Sequence, residues 1–492
     1  MNWRPLLKRI PALILVVDVL IRVAAVVTVP RNTRPNSAMA WLLAIFIAPI
    51  PGSILYALLG STKLPQDRRD KQRDVNSLFL KVTEDIPSMS SASRADTTPP
   101  PSWLPSVVHL NRHLGSMPLL SGNDIELLPD YRTSIQAMAD AVGLAKRFVH
   151  VEFYILARDK TTETFFDALL AAHERGVDVH VLYDHWATMR NPKGATTRDW
   201  LREKKIRFEE MLPFRPFRGS WRRPDLRNHR KIVVVDGGLA FTGSQNMVDD
   251  SYNMKGNLRR GLHWKDLMIR LEGPAALGLD ALFLTDWFSE TGQFLPTADE
   301  LPAERTTLTA VACQVVPSGP GFDGENNLRL FNALVYGAQE RLIIASPYFV
   351  PDDSMLYAIT TAAERGVEVQ LFACAVADQY VVYHAQRSYY ETLLRAGVRI
   401  FLYEEPTVLH SKHFTVDDDI AVVGSSNMDM RSFSLNLEVS VMIHGVDFVD
   451  RLRVVEDQYR TMSREVTLDQ WMARPAVAQV LDTVARLTAA VQ

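Results

Sequence analysis

Read for runs of apolar residues, the chain begins like a membrane protein and continues like a soluble one. Residues 38–60, AMAWLLAIFIAPIPGSILYALLG, are 23 positions without a charge. At about 1.5 Å per residue they could cross roughly 30 Å of hydrocarbon, with a kink expected at Pro49, Pro51 and Gly52. Residues 10–29, IPALILVVDVLIRVAAVVTV, form a second candidate span that contains Asp18 and Arg22. Four positions apart with the acid first, the two can pair on one helix face and offset part of their insertion cost. The segment lacks a small-residue cleavage site and a second apolar run follows at once, so a membrane anchor is favoured over a cleaved signal peptide. The connecting segment carries only Arg31 and Arg34, whereas Lys63, Arg68, Arg69, Lys71 and Arg73 follow the second span. The positive-inside rule then places the bulk of the chain in the cytoplasm. Residues 1–62 thus read as an anchor, and 63–105 as a basic segment and flexible linker whose Ser/Thr/Pro-rich stretch 85–101 is expected to be a tether.

Beyond residue 105 the pattern changes to short β-branched runs separated by helix-length stretches, and it is written twice. The first copy reads His229-Arg-Lys231-Ile-Val-Val-Val-Asp236 and then Gly243-Ser244-Gln245-Asn246; the second reads His410-Ser-Lys412-His-Phe-Thr-Val-Asp417 and then Gly424-Ser425-Ser426-Asn427. Each matching His, Lys, Asp, Gly, Ser and Asn is displaced by the same 181 residues. Upstream, HVEFYILARD (150–159) parallels ASPYFVPDD (345–353), and ERGVDVHVLYD (174–184) parallels ERGVEVQLFAC (364–374). A repeat this long is a duplicated domain, not a solenoid. It divides the soluble part into halves at 106–300 and 301–492.

IVVV before Asp-Gly-Gly predicts a strand entering a two-residue hairpin turn at Gly237-Gly238, with a matching turn at Asp418-Asp419. In that register Lys231 faces Ser244 and His229 faces Asn246, while Lys412 faces Ser425 and His410 faces Asn427. Histidine and lysine at i and i+2 share one strand face. The expected surface combines an imidazole that can attack phosphorus or carry protons with an ammonium, a hydroxyl and an amide that cradle phosphate. Asp236 and Asp417 complete the catalytic motifs but fall on the opposite strand face, so they are expected to hold structure there. His410 and His413 point to opposite faces and cannot share a metal, and no cysteine cluster assists, so no metal and no cofactor are expected.

Composition narrows the picture further. Lys+Arg 54 against Asp+Glu 57 leaves a net charge of −3, which supplies no general basic field for nucleic acid. The two cysteines, Cys313 and Cys374, exclude a disulfide scaffold and fit a reducing compartment. MLPFRPFRGSWRR (211–223) interleaves aromatic and basic residues shortly before His229 and is expected to meet the membrane surface.

Two His-x-Lys-x4-Asp motifs, each followed by Gly-Ser-x-Asn, resemble the phospholipase D superfamily. LRNHRKIVVVDGGLAFTGSQN, HWKD, LEGPA, VPSGP, SPYFVPDD, HSKHFTVDDDIAVVGSSNMDMRSFSLNLEV and QWMARP are similar to bacterial cardiolipin synthases. The resemblance implies an α/β fold of duplicated phospholipase D-like sandwich domains with pseudo-twofold symmetry, preceded by two N-terminal transmembrane helices. It also implies an enzyme of the bacterial inner membrane, with phosphatidylglycerol and cardiolipin as its lipid partners. Two phosphatidylglycerols would be joined through a phosphohistidine intermediate, releasing glycerol, without a metal. The implied site is His229, Lys231, Asn246, His410, Lys412 and Asn427, with Asp266 of HWKD and Glu438 of LNLE as carboxylates that orient the histidines; Ser244 and Ser425 join it as phosphate contacts from the strand-face reading above. By analogy with the superfamily His229 is the nucleophile and His410 the acid and base, and the pseudo-symmetry leaves the reverse assignment open. A phospholipase D-type hydrolase, or a transferase using another alcohol, is the alternative; a nuclease is disfavoured by the net charge and the apolar beginning.

Overall fold

The alternating apolar runs of both copies join into one 16-stranded sheet. The computed structural model describes residues 10–33, 35–60, 64, 66–82, 100–213, 223, 225–295, 310–322, 324–376 and 379–487. Two strands at its centre, Leu119–Leu128 and Val311–Ser318, pair antiparallel and weld the halves. Outward from Leu119–Leu128 lie Met268–Glu272, Leu239–Gly243, Lys231–Val235, Phe148–Phe153, Asp178–Asp184 and Arg207–Met211. From Val311–Ser318 the mirror sequence is Asn436–His444, Ile420–Gly424, His413–Val416, Arg341–Ala345, Glu368–Cys374 and Arg399–Tyr403, with Ser463–Val466 added at the edge. Equivalent strands therefore stand at equal distances from the weld, which is the arrangement of a pseudo-twofold axis. One apolar cluster spans the weld, packing Ile269 and Leu271 of the first half with Cys313, Val439 and Val441 of the second. Residues 65–492 accordingly form one compact unit and residues 1–64 another.

The motif hairpins differ from the sequence expectation by one residue. Val235 pairs with Leu239 and Val416 with Ile420, so each turn has three residues, Asp236–Gly238 and Asp417–Asp419. The reason is that the aspartates themselves take left-handed backbone, with φ of 52° at Asp236 and 49° at Asp417. There each carboxylate accepts backbone N–H groups from the start of the neighbouring strand. Asp236 receives Lys146, Arg147 and Phe148 at 2.9, 2.8 and 3.0 Å. Asp417 receives Gln339, Glu340 and Arg341 at 3.1, 2.7 and 3.0 Å. Both aspartates therefore sit at the far end of the motif strand from its histidine, with no part in the site.

The apolar beginning is helical but divided. Ile10–Asn32 is one helix, with Asp18 and Arg22 in a 2.9 Å ion pair. The 38–60 run, read as a single kinked span, instead forms helices Pro35–Ile47 and Pro49–Leu59 separated at Ala48. Proline at two successive odd positions removes backbone donors at the break. Gly52 lies so near residues 44 and 45 that a Cβ would sit 2.8 Å from the Ala44 carbonyl oxygen. Among the described residues no helix is both long and apolar enough to cross a membrane. Within the segment read as basic linker, Gln66–Val82 is a helix. Its Arg68 forms a buried 2.8 Å ion pair with Glu290, a contact that no local sequence pattern encodes. The tether at 83–99 and residues 214–222 of the aromatic–basic loop lie outside the described residues; Met211 and Leu212 at its start are buried.

A carboxylate that satisfies three N–H groups is a large local term. We expect Asp236→Ala to cost about 2 kcal/mol, read as an earlier urea midpoint, and Asp417→Ala a similar amount. An unchanged midpoint would contradict the anchoring role of these turns.

Candidate active site

Each histidine is set by a short strand, of two residues before His229 and three before His410, that crosses to the other half. Arg227–Asn228 pairs parallel with Asn436–Leu437, and the His229 N–H donates to the Leu437 carbonyl at 2.8 Å. Thr407–Leu409 pairs parallel with His263–Lys265, and the His410 N–H donates to the Lys265 carbonyl at 2.8 Å. In both cases the accepting carbonyl belongs to the residue just before an acid. That register brings the His229 Nδ1 to 3.0 Å from the Glu438 carboxylate and the His410 Nδ1 to 2.7 Å from the Asp266 Oδ1. The pairing is crossed, since each imidazole takes its carboxylate from the opposite half. All four side chains are buried.

The two pairs are not equivalent. His229 Nδ1 also faces the Ser425 carbonyl oxygen at 3.0 Å. A carbonyl only accepts, so the proton resides on Nδ1 and the lone pair on Nε2. Burial, followed by the ammonium groups of Lys231 and Lys412, holds the His229 pKa well below its ordinary value. Burial pushes Glu438 up to about 7, against the pull of Lys231. Burial acts on Asp266 as well, but His410, Lys412 and Ser244 outweigh it and hold this carboxyl below its usual range. His410 is lowered by burial and Lys412 while Asp266 works the other way.

The lysines lie within the site, not at its rim. Lys231 and Lys412 are buried, and each Nζ donates to the carbonyl of its own motif histidine, Lys412 at 2.6 Å. Lys231 Nζ also lies 5.4 Å from the centre of the Tyr154 ring, which meets His229 edge-on at 4.9 Å. Burial, opposed by Glu438, pulls the Lys231 pKa well below its ordinary value, so an anion bound between the two lysines would favour its charged form.

The serine hydroxyls, expected to meet phosphate, are directed at the two carboxylates. The one-residue shift in each hairpin turns the Ser244 hydroxyl onto Asp266 Oδ1 at 2.7 Å and the Ser425 hydroxyl onto Glu438 Oε2. They hold the carboxylates that hold the histidines. Asn246 is engaged by protein, accepting from the Ile155 N–H at 3.1 Å and donating to Tyr252 Oη at 2.9 Å. The Asn427 Oδ1 is buried and has no partner among the described residues. His413 turns away from the site, with its Nδ1 2.7 Å from the Ser411 hydroxyl. Tyr154 and Tyr252, which stand beside the two histidines, carry no catalytic motif in the sequence. Tyr154 directly follows the strand Phe148–Phe153, in the duplicated run HVEFY, the one local hint. Among the described residues no cluster of His, Cys, Asp or Glu could hold a metal ion.

Residues 138–266 and 333–458 match the family described as "Cardiolipin synthase, PLD-like domain", and residues 10–61 match the "Phospholipase_D-nuclease N-terminal" family. Cardiolipin synthase A of Proteus mirabilis (strain HI4320) is 34% identical over 459 residues, 92% of each chain. Cardiolipin synthase A of Klebsiella pneumoniae (strain 342) is 33% identical over 453 residues, 91% of each chain. The chain belongs to the cardiolipin synthase family of phospholipase D-like proteins. Among solved structures, phosphatidylserine synthase of Haemophilus influenzae Rd KW20 superposes with a TM-score of 0.58 at 17% identity, over 78% of this chain and 99% of that one. That likeness establishes the fold. The two spans matched by the synthase family enclose both motifs and end just at or beyond the two carboxylates, so the crossed pairing lies inside them.

The geometry separates the roles of Asp266 and Ser244. Asp266→Asn keeps the shape but removes the charge behind His410, and we expect turnover to fall at least 100-fold. Ser244→Ala removes one hydrogen bond to that carboxylate and should cost about tenfold. Equal losses in the two variants, measured as initial rates on phosphatidylglycerol, would contradict this ordering.

Proposed function

We propose that the chain is a phosphatidyltransferase that joins two phosphatidylglycerol molecules into cardiolipin and releases glycerol. His229 is the nucleophile and His410 the acid, then the base. The observation that carries the reading is the crossed pairing of two motif histidines with buried carboxylates, in a chain whose curated relatives are cardiolipin synthases over nine-tenths of its length. The His229 Nε2 lone pair attacks the phosphorus of the first lipid, and the bond from phosphorus to the headgroup glycerol oxygen breaks. His410, protonated on Nε2, gives that proton to the departing oxygen. The primary hydroxyl of a second phosphatidylglycerol then returns a proton to His410 and attacks phosphorus, and the P–N bond breaks to free cardiolipin and neutral His229. A carboxylate behind His410 stabilises the imidazolium between these steps. Lys231, Lys412 and the Asn427 amide neutralise charge on the phosphoryl oxygens.

The same reading treats Ile10–Asn32 and the paired helices of 35–59 as the membrane anchor, with the halves 106–300 and 301–492 on the cytoplasmic side. Its support is the apolar composition of those helices and the excess of Lys and Arg that follows them. Water must be kept from the phosphohistidine, since its attack would yield phosphatidic acid.

Purified full-length protein given phosphatidylglycerol alone should yield cardiolipin and glycerol in equal amounts by mass spectrometry. His229→Ala and His410→Ala should each retain less than a hundredth of the rate. Phosphatidic acid as the main product would assign a hydrolase instead. Because the His229 pKa is depressed, the imidazole is already neutral above its lowered pKa. Phosphoenzyme formation in a single turnover should therefore not fall as pH drops from 8 to 6, and protonation of His410, whose pKa is also lowered, can only raise it; a loss centred near 6.5 would refute the buried, neutral nucleophile.

A further inference from the structure

We propose that the turn and short helix spanning Tyr252–Gly261 form a docking surface for an anionic phospholipid bilayer at the His410 side of the site. This rests on the reading of phosphatidylglycerol as substrate and adds the surface through which the lipid is met.

The helix Lys255–Arg260 buries none of its residues. Met254 and Leu258, one helical turn apart, are 45% and 59% exposed. Lys255, Arg259 and Arg260 surround them, all exposed. A helix without a buried face is not held by packing; here it is pinned from behind. Asn257 Nδ2 donates to the Ser251 carbonyl at 2.9 Å, the Leu262 N–H donates to the Asn257 carbonyl at 3.0 Å, and Arg260 pairs with Glu405 at 2.6 Å.

The turn that aims this helix is strained. Tyr252 and Asn253 both take left-handed backbone, with φ of 58° and 55°; asparagine adopts it readily, whereas a bulky tyrosine keeps it only where its surroundings impose it. Asn191 Nδ2 donates to the Tyr252 carbonyl at 3.0 Å, and Asn253 Nδ2 donates to Asp159 Oδ2 at 2.8 Å. The Tyr252 ring in turn stands 6.3 Å from His410 and 4.8 Å from Trp264. The outward patch is thus rigidly joined to the wall of the site. The second half departs from the repeat here. After Asn427 its chain forms the helix Met430–Ser434, which buries Ser432 and Phe433.

Two apolar side chains inside a ring of cations suit the boundary between acyl chains and anionic headgroups. Each basic residue near such a surface contributes about a fivefold factor in affinity. An acidic protein would meet the cations but leave Met254 and Leu258 unaccounted for.

The test places an environment-sensitive fluorophore on Leu258→Cys in the full chain; Cys313 and Cys374 are buried and stay unlabelled. With vesicles of phosphatidylglycerol and phosphatidylcholine, emission should shift to the blue and be quenched by brominated acyl chains. The shift should shrink on pure phosphatidylcholine and at high salt. Unchanged emission, or a shift with an oligonucleotide but not with vesicles, would overturn the proposal. Independently, Lys255→Glu with Arg259→Glu should lower turnover at least tenfold on phosphatidylglycerol vesicles. Turnover of a short-chain phosphatidylglycerol dispersed as monomers should stay within twofold, and equal loss on both forms would also overturn it. Wild-type protein that makes no cardiolipin would defeat the proposed reaction while leaving the fluorescence result to stand or fall alone.

Discussion

Everything at this site depends on two short backbone exchanges between the halves. Arg227–Asn228 lies on Asn436–Leu437, and Thr407–Leu409 lies on His263–Lys265. Neither pair is long enough to be stable by itself, and each is held by the welded sheet behind it. Together they fix where an imidazole meets a carboxylate more tightly than a loop could. They also make the site a property of both copies at once, since neither half alone holds a histidine with its acid. Duplication supplies two histidines, and the crossing supplies their partners.

Pseudo-symmetry in the backbone does not carry through to the protons. His229 shares its Nδ1 between a carbonyl and a carboxylate that burial pushes toward neutrality, whereas His410 has one short contact to a carboxylate held ionised. A two-step transfer needs unlike partners, one imidazole with a lone pair to give and one able to carry a proton. The difference arises from ordinary details, among them the reach of Glu against Asp and the direction of one serine carbonyl.

Much of this was legible in the sequence because the repeat carries it. An offset common to every motif residue implies equivalent strands, and equivalent strands imply a shared site. The mirror order of the sheet follows from the same duplication. What was not legible had physical causes. The motif hairpins were read one residue short because Asp-Gly-Gly resembles a two-residue turn, and nothing local reveals that Asp236 itself turns left-handed to reach three N–H groups of a distant strand. That single shift also hid the role of Ser244 and Ser425. Residues 38–60 have the length of a span, yet Pro49 and Pro51 divide them into two helices. The helix at Gln66–Val82 carries a buried Arg68–Glu290 pair whose members are far apart in sequence.

The central proposal is that the unequal Nδ1 contacts of the two histidines, not the pairing they share, make His229 the nucleophile, through its Nε2. The direct measurement is to trap the phosphatidylated enzyme by rapid acid quench from phosphatidylglycerol and locate the adduct by peptide mass spectrometry and phosphorus NMR. The account predicts a single adduct on Nε2 of His229. An adduct on His410, or on Nδ1 of either ring, would contradict it.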